Sequence, residues 1–215
     1  MRANKITASD SLKEKSRKAF DNQAFSYDTD MRGVHARELY PYVLDEVIKK
    51  AIDISSPSLL DLGCGTGALS KMVLDEIPYC TLSCVDYSTE MVKVAKNRLG
   101  SKVDVVLGDV ESLPFHDSTF DIAWCNDSFH HYPDPEKAIF QMWRVLKSGG
   151  EIIVGDVWQS GIPRAIMNAW MPFSSEGDVK IYSESELRGL FSKWFNEVSW
   201  RRIGNKACIL VARKL

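Results

Sequence analysis

No apolar run in the 215 residues approaches the roughly 20 that a bilayer-spanning helix needs, and Met1 to Lys18 is too polar and too interrupted by charge for a signal peptide. Long Lys/Arg runs are missing as well. With 27 basic against 29 acidic residues the net charge is −2, which argues against a broad electrostatic grip on nucleic acid or anionic lipid. The five cysteines, Cys64, Cys80, Cys84, Cys125 and Cys208, form an odd count without framework spacing, which excludes a disulfide scaffold and fits a reducing, cytoplasmic setting. Cys80 and Cys84 flank the strand-like Thr81-Leu82-Ser83, and no second ligand pair follows, so they read as structural thiols and no metal site is expected.

What the chain does have is the balance of an ordinary soluble domain, 45% hydrophobic and 26% charged. From Leu59 onward, short apolar runs alternate with amphipathic stretches, the rhythm of βαβ units. Strands are predicted at Leu59–Leu62, Thr81–Val85, Val103–Leu107, Phe120–Cys125 and Glu151–Val154, with helices at Ala68–Ile77, from Ser88 to Leu99, and at Pro135–Leu146. Ser183 and Glu186 give a capping-box signal for a helix to about Trp194, and Gly204-Asn205 joins two closing strands. The expected fold is α/β: a Rossmann-like, seven-stranded, mostly parallel sheet ending in an antiparallel hairpin, with helices on both faces. One domain over 1–215 is expected, divided into an amino-terminal helical cap (1–56), a core (57–156), a lid-like insertion (157–182) and a closing helix and hairpin (183–215).

Asp61-Leu62-Gly63-Cys64-Gly65-Thr66-Gly67 falls where the first strand ends and a helix begins, the edge at which open α/β sheets bind ligands. Glycines there let backbone N–H groups approach a ligand. Read as Gly63, Gly65 and Ala68, the loop also satisfies the dinucleotide pattern, with Asp86 near the offset for a ribose-binding carboxylate, so the loop alone leaves the ligand open. Its surroundings favour one reading. A hydride-transfer enzyme needs a second catalytic region, yet no Tyr is followed four residues later by Lys, and the length leaves no room for a separate substrate domain. Asp61, Asp86 and Gly108-Asp109 instead end three successive strands, offering one acid for an ammonium, one for ribose hydroxyls and one for an exocyclic amine.

In these residues the chain resembles the class I S-adenosylmethionine-dependent methyltransferases, in particular the ubiquinone/menaquinone-biosynthesis C-methyltransferase-like (methyltransferase type 11) branch. The resemblance rests on Leu59 to Gly67, Val85-Asp86-Tyr87-Ser88 with Met91, Gly108-Asp109-Val110 with Leu113-Pro114-Phe115, Phe129 to Pro135, and Arg144 to Gly150. Phe20-Asp21, Ala24 and Tyr27-Asp28 resemble that branch's opening helix. Departures are modest: Ser148 stands where proline is common, Trp124 is bulky for the fourth strand, and Cys64 is a variant of the loop. The resemblance implies S-adenosylmethionine as cofactor and S-adenosylhomocysteine as product. It puts Asp61 near the amino group and Gly63 and Gly65 along the methionine moiety, with Asp86 on the ribose. Tyr87 or Met91 would pack on the adenine, Asp109 and Val110 would read its edge, and Asn126 would touch the methionine portion beside the acceptor.

The acceptor is expected to be a small molecule rather than nucleic acid, because Asn126-Asp127-Ser128-Phe129 lacks the Pro-Pro-aromatic arrangement that holds a flipped amine. His130 and His131 are the candidate bases or pocket-shaping groups. A metal site built from them and Asp134 lacks a fourth ligand. Trp158, Trp170, Phe173, Phe25 and Tyr27 are expected to roof an apolar acceptor pocket. Two alternatives stay open here: a noncatalytic S-adenosylmethionine-binding regulator and an NAD-dependent oxidoreductase.

Overall fold

The structure is a computed structural model that describes residues 7–215; residues 1–6, part of the expected cap and of the charged amino terminus, lie outside the described residues. Helix α1 (Ala8–Gln23) opens with a capping box in which the Thr7 hydroxyl accepts from the Asp10 amide and the Asp10 carboxylate accepts from that of Thr7. Helix α2 (Val34–Ala51) follows, burying Leu39, Val43 and Val47 on the stripe the sequence spacing marked.

The alternation then runs β1 (Ser58–Leu62), α3 (Ala68–Glu76), β2 (Thr81–Asp86), α4 (Thr89–Leu99), β3 (Asp104–Leu107), β4 (Phe120–Asn126), α5 (Pro135–Val145) and β5 (Leu146–Val157). Ser88 caps α4 by accepting from the Met91 amide, and Asp134 caps α5 by accepting from the Lys137 amide. After β5 come α6 (Gly161–Trp170), a 3-10 turn at Met171–Phe173, α7 (Glu184–Phe191), β6 (Glu197–Ile203) and β7 (Ala207–Arg213). Helix α7 stops short of the expected Trp194 because the Trp194 amide bonds the Phe191 carbonyl, three residues back, tightening the last turn. The expected lid-like insertion contains α6, none of whose residues is buried.

The seven strands lie in the order β3-β2-β1-β4-β5-β7-β6. All neighbours are parallel except β7, which pairs antiparallel with both β5 and β6, so the sheet is the expected mostly parallel one with a terminal hairpin. The strand order reverses beside β1, where the crossovers on either side leave a crevice at the carboxyl edge. Period-two alternation divides the core. Leu60, Leu62, Cys125 and Val154 face α5 and α7, while Leu59, Ile122, Trp124 and Ile153 face α2, α3 and α4. Trp124 is fully buried, so the bulky residue in the fourth strand is a packing element.

Candidate functional site

The carboxyl ends of β1, β2, β3 and β4 surround a cleft that is partly open to solvent. Gly63 and Gly65 turn the chain out of β1 at φ +70° and +54°. A side chain at Gly63 would meet the Ser128 hydroxyl at 2.9 Å, whereas at Gly65 it would project into open space. Glycine is therefore needed for packing at the first position and for backbone conformation at both.

Behind the loop the acids are buried and fixed. Asp61 accepts from the Ser70 hydroxyl at 2.6 Å, and burial, opposed by that bond but reinforced by Asp86, pushes its carboxyl up to about 7. Asp86 accepts from the Gly65 and Ser88 amides, each at 2.8 Å, and burial raises its pKa against those bonds. Asp109 accepts from the Glu111 amide at 2.8 Å and pairs with Lys13 of α1 at 2.7 Å; the same lysine also pairs with the buried Glu111. All nine residues expected on the cofactor side, Asp61, Gly63, Gly65, Asp86, Tyr87, Met91, Asp109, Val110 and Asn126, line this cleft.

Helix α1 and the segment after it lie across the cleft. Asp21 accepts from the Ser88 hydroxyl at 2.7 Å and the Glu90 amide at 3.1 Å, at the start of α4. Asp28 pairs with Arg98 and accepts from the Thr66 hydroxyl at 2.7 Å, tying the segment to the glycine loop. Phe20 meets the His131 ring edge-on, with centroids 5.1 Å apart, and Tyr27 and Tyr40 add phenols that burial keeps neutral.

The end of β4 is the second charged region. Asp127, at the unusual φ of 55°, lines the cleft and lies 2.6 Å from His35 Nδ1, whose other ring nitrogen faces the Lys206 carbonyl at 3.2 Å. Both neighbours of His35 are acceptors, so its ring donates twice. Burial would lower the His35 pKa, but Asp127 raises it, and His35 in turn holds Asp127 ionised against its own burial. His131 lines the cleft and His130 does not. His130 turns away to Asp156 at the end of β5, donating from Nδ1 at 2.6 Å and from its backbone amide at 2.9 Å. Burial opposes protonation of His130, yet Asp156, Asp127 and Asp178 push its pKa up to about 10, while burial and the charge on His130 press His131 down to about 3.

One sequence expectation fails in this region. The aromatic roof does not form: Phe25, Trp170 and Phe173 are 82%, 69% and 78% exposed, and Trp158 packs on Trp200 of β6, because α6 turns its apolar stripe to solvent. Only Tyr27 of that set reaches the cleft, where Phe20, Tyr40, Tyr87 and Tyr132 add further aromatic rings. Asp134 is occupied in capping α5, and Asp178 is the acid that approaches the two histidines. Sequence reasoning also missed Lys13, His35, Asp127 and Asp156. Asp127 and Asp156 were within reach, since each stands at the carboxyl end of a strand.

Residues 60–154 match the family described as methyltransferase domain. The chain is 28% identical over 194 residues to a demethylmenaquinone methyltransferase of Listeria welshimeri serovar 6b, spanning 87% of this chain and 78% of that one. Its fold is similar to that of a Thermotoga maritima SAM-dependent methyltransferase described as a possible histamine N-methyltransferase, with TM-score 0.72, 21% identity, and 93% and 100% of the two chains covered. It is also similar to a Haemonchus contortus phosphoethanolamine N-methyltransferase solved with S-adenosylhomocysteine, at TM-score 0.71, 15% identity, and 92% and 60% coverage.

Proposed function

We propose that this chain, a class I S-adenosylmethionine-dependent methyltransferase by its domain match, relatives and fold, methylates a small acceptor with a planar aromatic ring. The observation that carries the proposal is the cleft itself, lined both by acids at three successive strand ends and by the rings of Phe20, Tyr27, Tyr40, Tyr132 and His131. The relatives named demethylmenaquinone methyltransferases support the same acceptor class. A net charge of −2 favours a small acceptor over a polynucleotide.

In this reading the core over 57–156 holds the cofactor, and the cap over 1–56 frames the acceptor together with the chain after β4. Asp61 takes the cofactor's ammonium, Asp86 the ribose hydroxyls, and Asp109 with the Val110 amide the adenine edge, against which Tyr87 and Met91 pack. Asn126, whose amide donates to the Ala36 carbonyl at 3.1 Å and whose Oδ1 is buried without a partner, has an acceptor free for the methionine portion.

When bound, S-adenosylmethionine supplies a methyl group on a sulfonium, ready for in-line displacement. The protein's task is alignment, and orientation of this kind supplies part of the roughly 7–11 kcal/mol available from proximity. Asp127, held as a carboxylate by His35, is the group at the acceptor wall able to take a proton from a ring hydroxyl as it attacks or activates the ring. His131 stays neutral and shapes that wall without repelling the sulfonium. Calorimetric titration with S-adenosylmethionine, S-adenosylhomocysteine and NAD tests the cofactor assignment: the first two should bind, and binding of NAD alone would overturn it. A mass-spectrometric screen of phenolic and hydroquinone acceptors tests the rest, and product confined to non-aromatic acceptors would refute the acceptor class.

A further inference from the structure

Three side chains meet behind the acceptor wall at a spacing that the methyl-transfer reading does not use. Asp178 Oδ1 lies 3.2 Å from His131 Nδ1 and 3.7 Å from His130 Nε2, and one ligand atom from each of the three residues lies within 4.8 Å of the other two. Two donors about 2.1 Å from one ion stand roughly 3.0–3.4 Å apart for angles between square and tetrahedral, so the Asp178–His131 edge is at ligand spacing and the Asp178–His130 edge needs to close by a few tenths of an ångström. The His131 side chain is 9% exposed, and its Nδ1 has no hydrogen-bond partner despite the nearby carboxylate. The two groups approach without the alignment of an N–H···O bond, as two lone pairs converging on a third body do.

The triangle is held from behind. Asp156 accepts from His130 Nδ1, so that Nε2 is the nitrogen facing Asp178 and the one an ion would take in exchange for a proton, and the Ser174 hydroxyl donates to the other oxygen of Asp178. Charge points the same way. Asp156 and Asp178 carry two negative charges; one proton on His130 leaves the group at −1, whereas a divalent cation between neutral histidines brings it to zero. The neighbouring Asp127 is already matched by His35, and Lys180 by Glu186.

We propose that His130 Nε2, His131 Nδ1 and Asp178 Oδ1 bind a divalent transition-metal ion, with Zn2+ the natural match for two imidazoles and one carboxylate. The ion joins the segment bearing Asp178 to the Phe129–His131 turn, where the Val179 amide already donates to the His130 carbonyl at 2.8 Å. It thereby fixes the wall that His131 presents to the cleft.

The test uses the untagged full chain, stripped with a chelator and dialysed, with neither cofactor nor acceptor present, so its failure leaves the methyltransferase assignment standing. Zn2+ is titrated by calorimetry, and Co2+ is followed by visible absorption. One ion per chain is expected, with a Co2+ spectrum of nitrogen and oxygen ligands lacking thiolate charge transfer, and a higher Tm on loading. Asp178→Asn and His131→Ala should each weaken Zn2+ by about 100-fold or more, and Asp156→Asn by about 10–100-fold, with circular dichroism of the metal-free variants unchanged. No saturable binding up to millimolar Zn2+, a thiolate spectrum, or equal affinity in Asp178→Asn and His131→Ala would overturn the site.

Discussion

The two walls of the cleft are built on opposite plans. On the cofactor side, Asp61, Asp86 and Asp109 stand at the ends of three adjacent parallel strands, each followed by its own turn, so the sheet alone brings them together. On the wall proposed for the acceptor, Phe20 and Tyr27 belong to the amino-terminal segment and Asp127 and His131 to the chain after β4, with His35 of α2, Asp156 of β5 and Asp178 from the segment after α6 packed behind them. The first wall follows from short-range sequence and strand register. The second exists only when distant segments pack, which leaves it free to vary without disturbing the cofactor.

That contrast is open to test, beginning with the most sensitive residue of the acceptor wall. Asp127→Asn removes the proposed proton acceptor while preserving its shape, and should lower single-turnover methyl transfer by about 10²–10⁴-fold with S-adenosylmethionine affinity unchanged. A comparable loss of cofactor affinity would show that the walls are not separable. On the other wall, Asp86→Ala should weaken S-adenosylmethionine by about 10–100-fold in calorimetry, the value of a charge-assisted hydrogen bond, and unchanged affinity would remove it from the ribose.

Asp61 gives a pH test with a definite sign. Its carboxyl is pushed up to about 7 in the free protein by burial, so below that pH a proton must leave before the ammonium can pair with it. Cofactor affinity should fall about tenfold per unit as pH drops below 7 and level off above it, with proton release visible in buffers of different ionisation enthalpy. Because its folded pKa is raised above the unfolded value, ionising Asp61 costs stability as pH rises towards 7. Asp61→Asn should therefore raise the Tm of the free protein at pH 8 while weakening the cofactor; a lower Tm there would contradict the burial argument. The smallest effect is expected from Phe20→Ala, whose lost edge contact with His131 is worth about 1 kcal/mol, or roughly fivefold in acceptor KM, with cofactor affinity little changed.

Legibility in the sequence follows the same divide. The glycine loop, the strand-end acids, the Ser88 cap and the closing hairpin were readable because each is a local pattern whose chemistry does not depend on what packs against it. The roof failed for the opposite reason: Ile162, Ile166 and Trp170 mark an apolar stripe on α6, but a stripe does not say which way it faces, and here it faces outward. Asp134 looked like the natural partner of His130 and His131 because it is three residues away, yet a helix start claimed it. Asp178 reaches the same histidines from 47 residues beyond His131, a distance no spacing rule spans.

Helix α1 carries Lys13 at the Asp109 end of the cleft and Phe20 against the His131 wall, so one rigid element roofs two binding events. On the proposed assignment, release of the spent cofactor is expected to need the same helix to move that frames the acceptor, so departure and entry should be successive. The expected signature in product-inhibition kinetics is a compulsory order, with donor first in and its product last out, so that this product competes with fresh donor but not with the acceptor; competition with the acceptor would show that α1 does not couple the two.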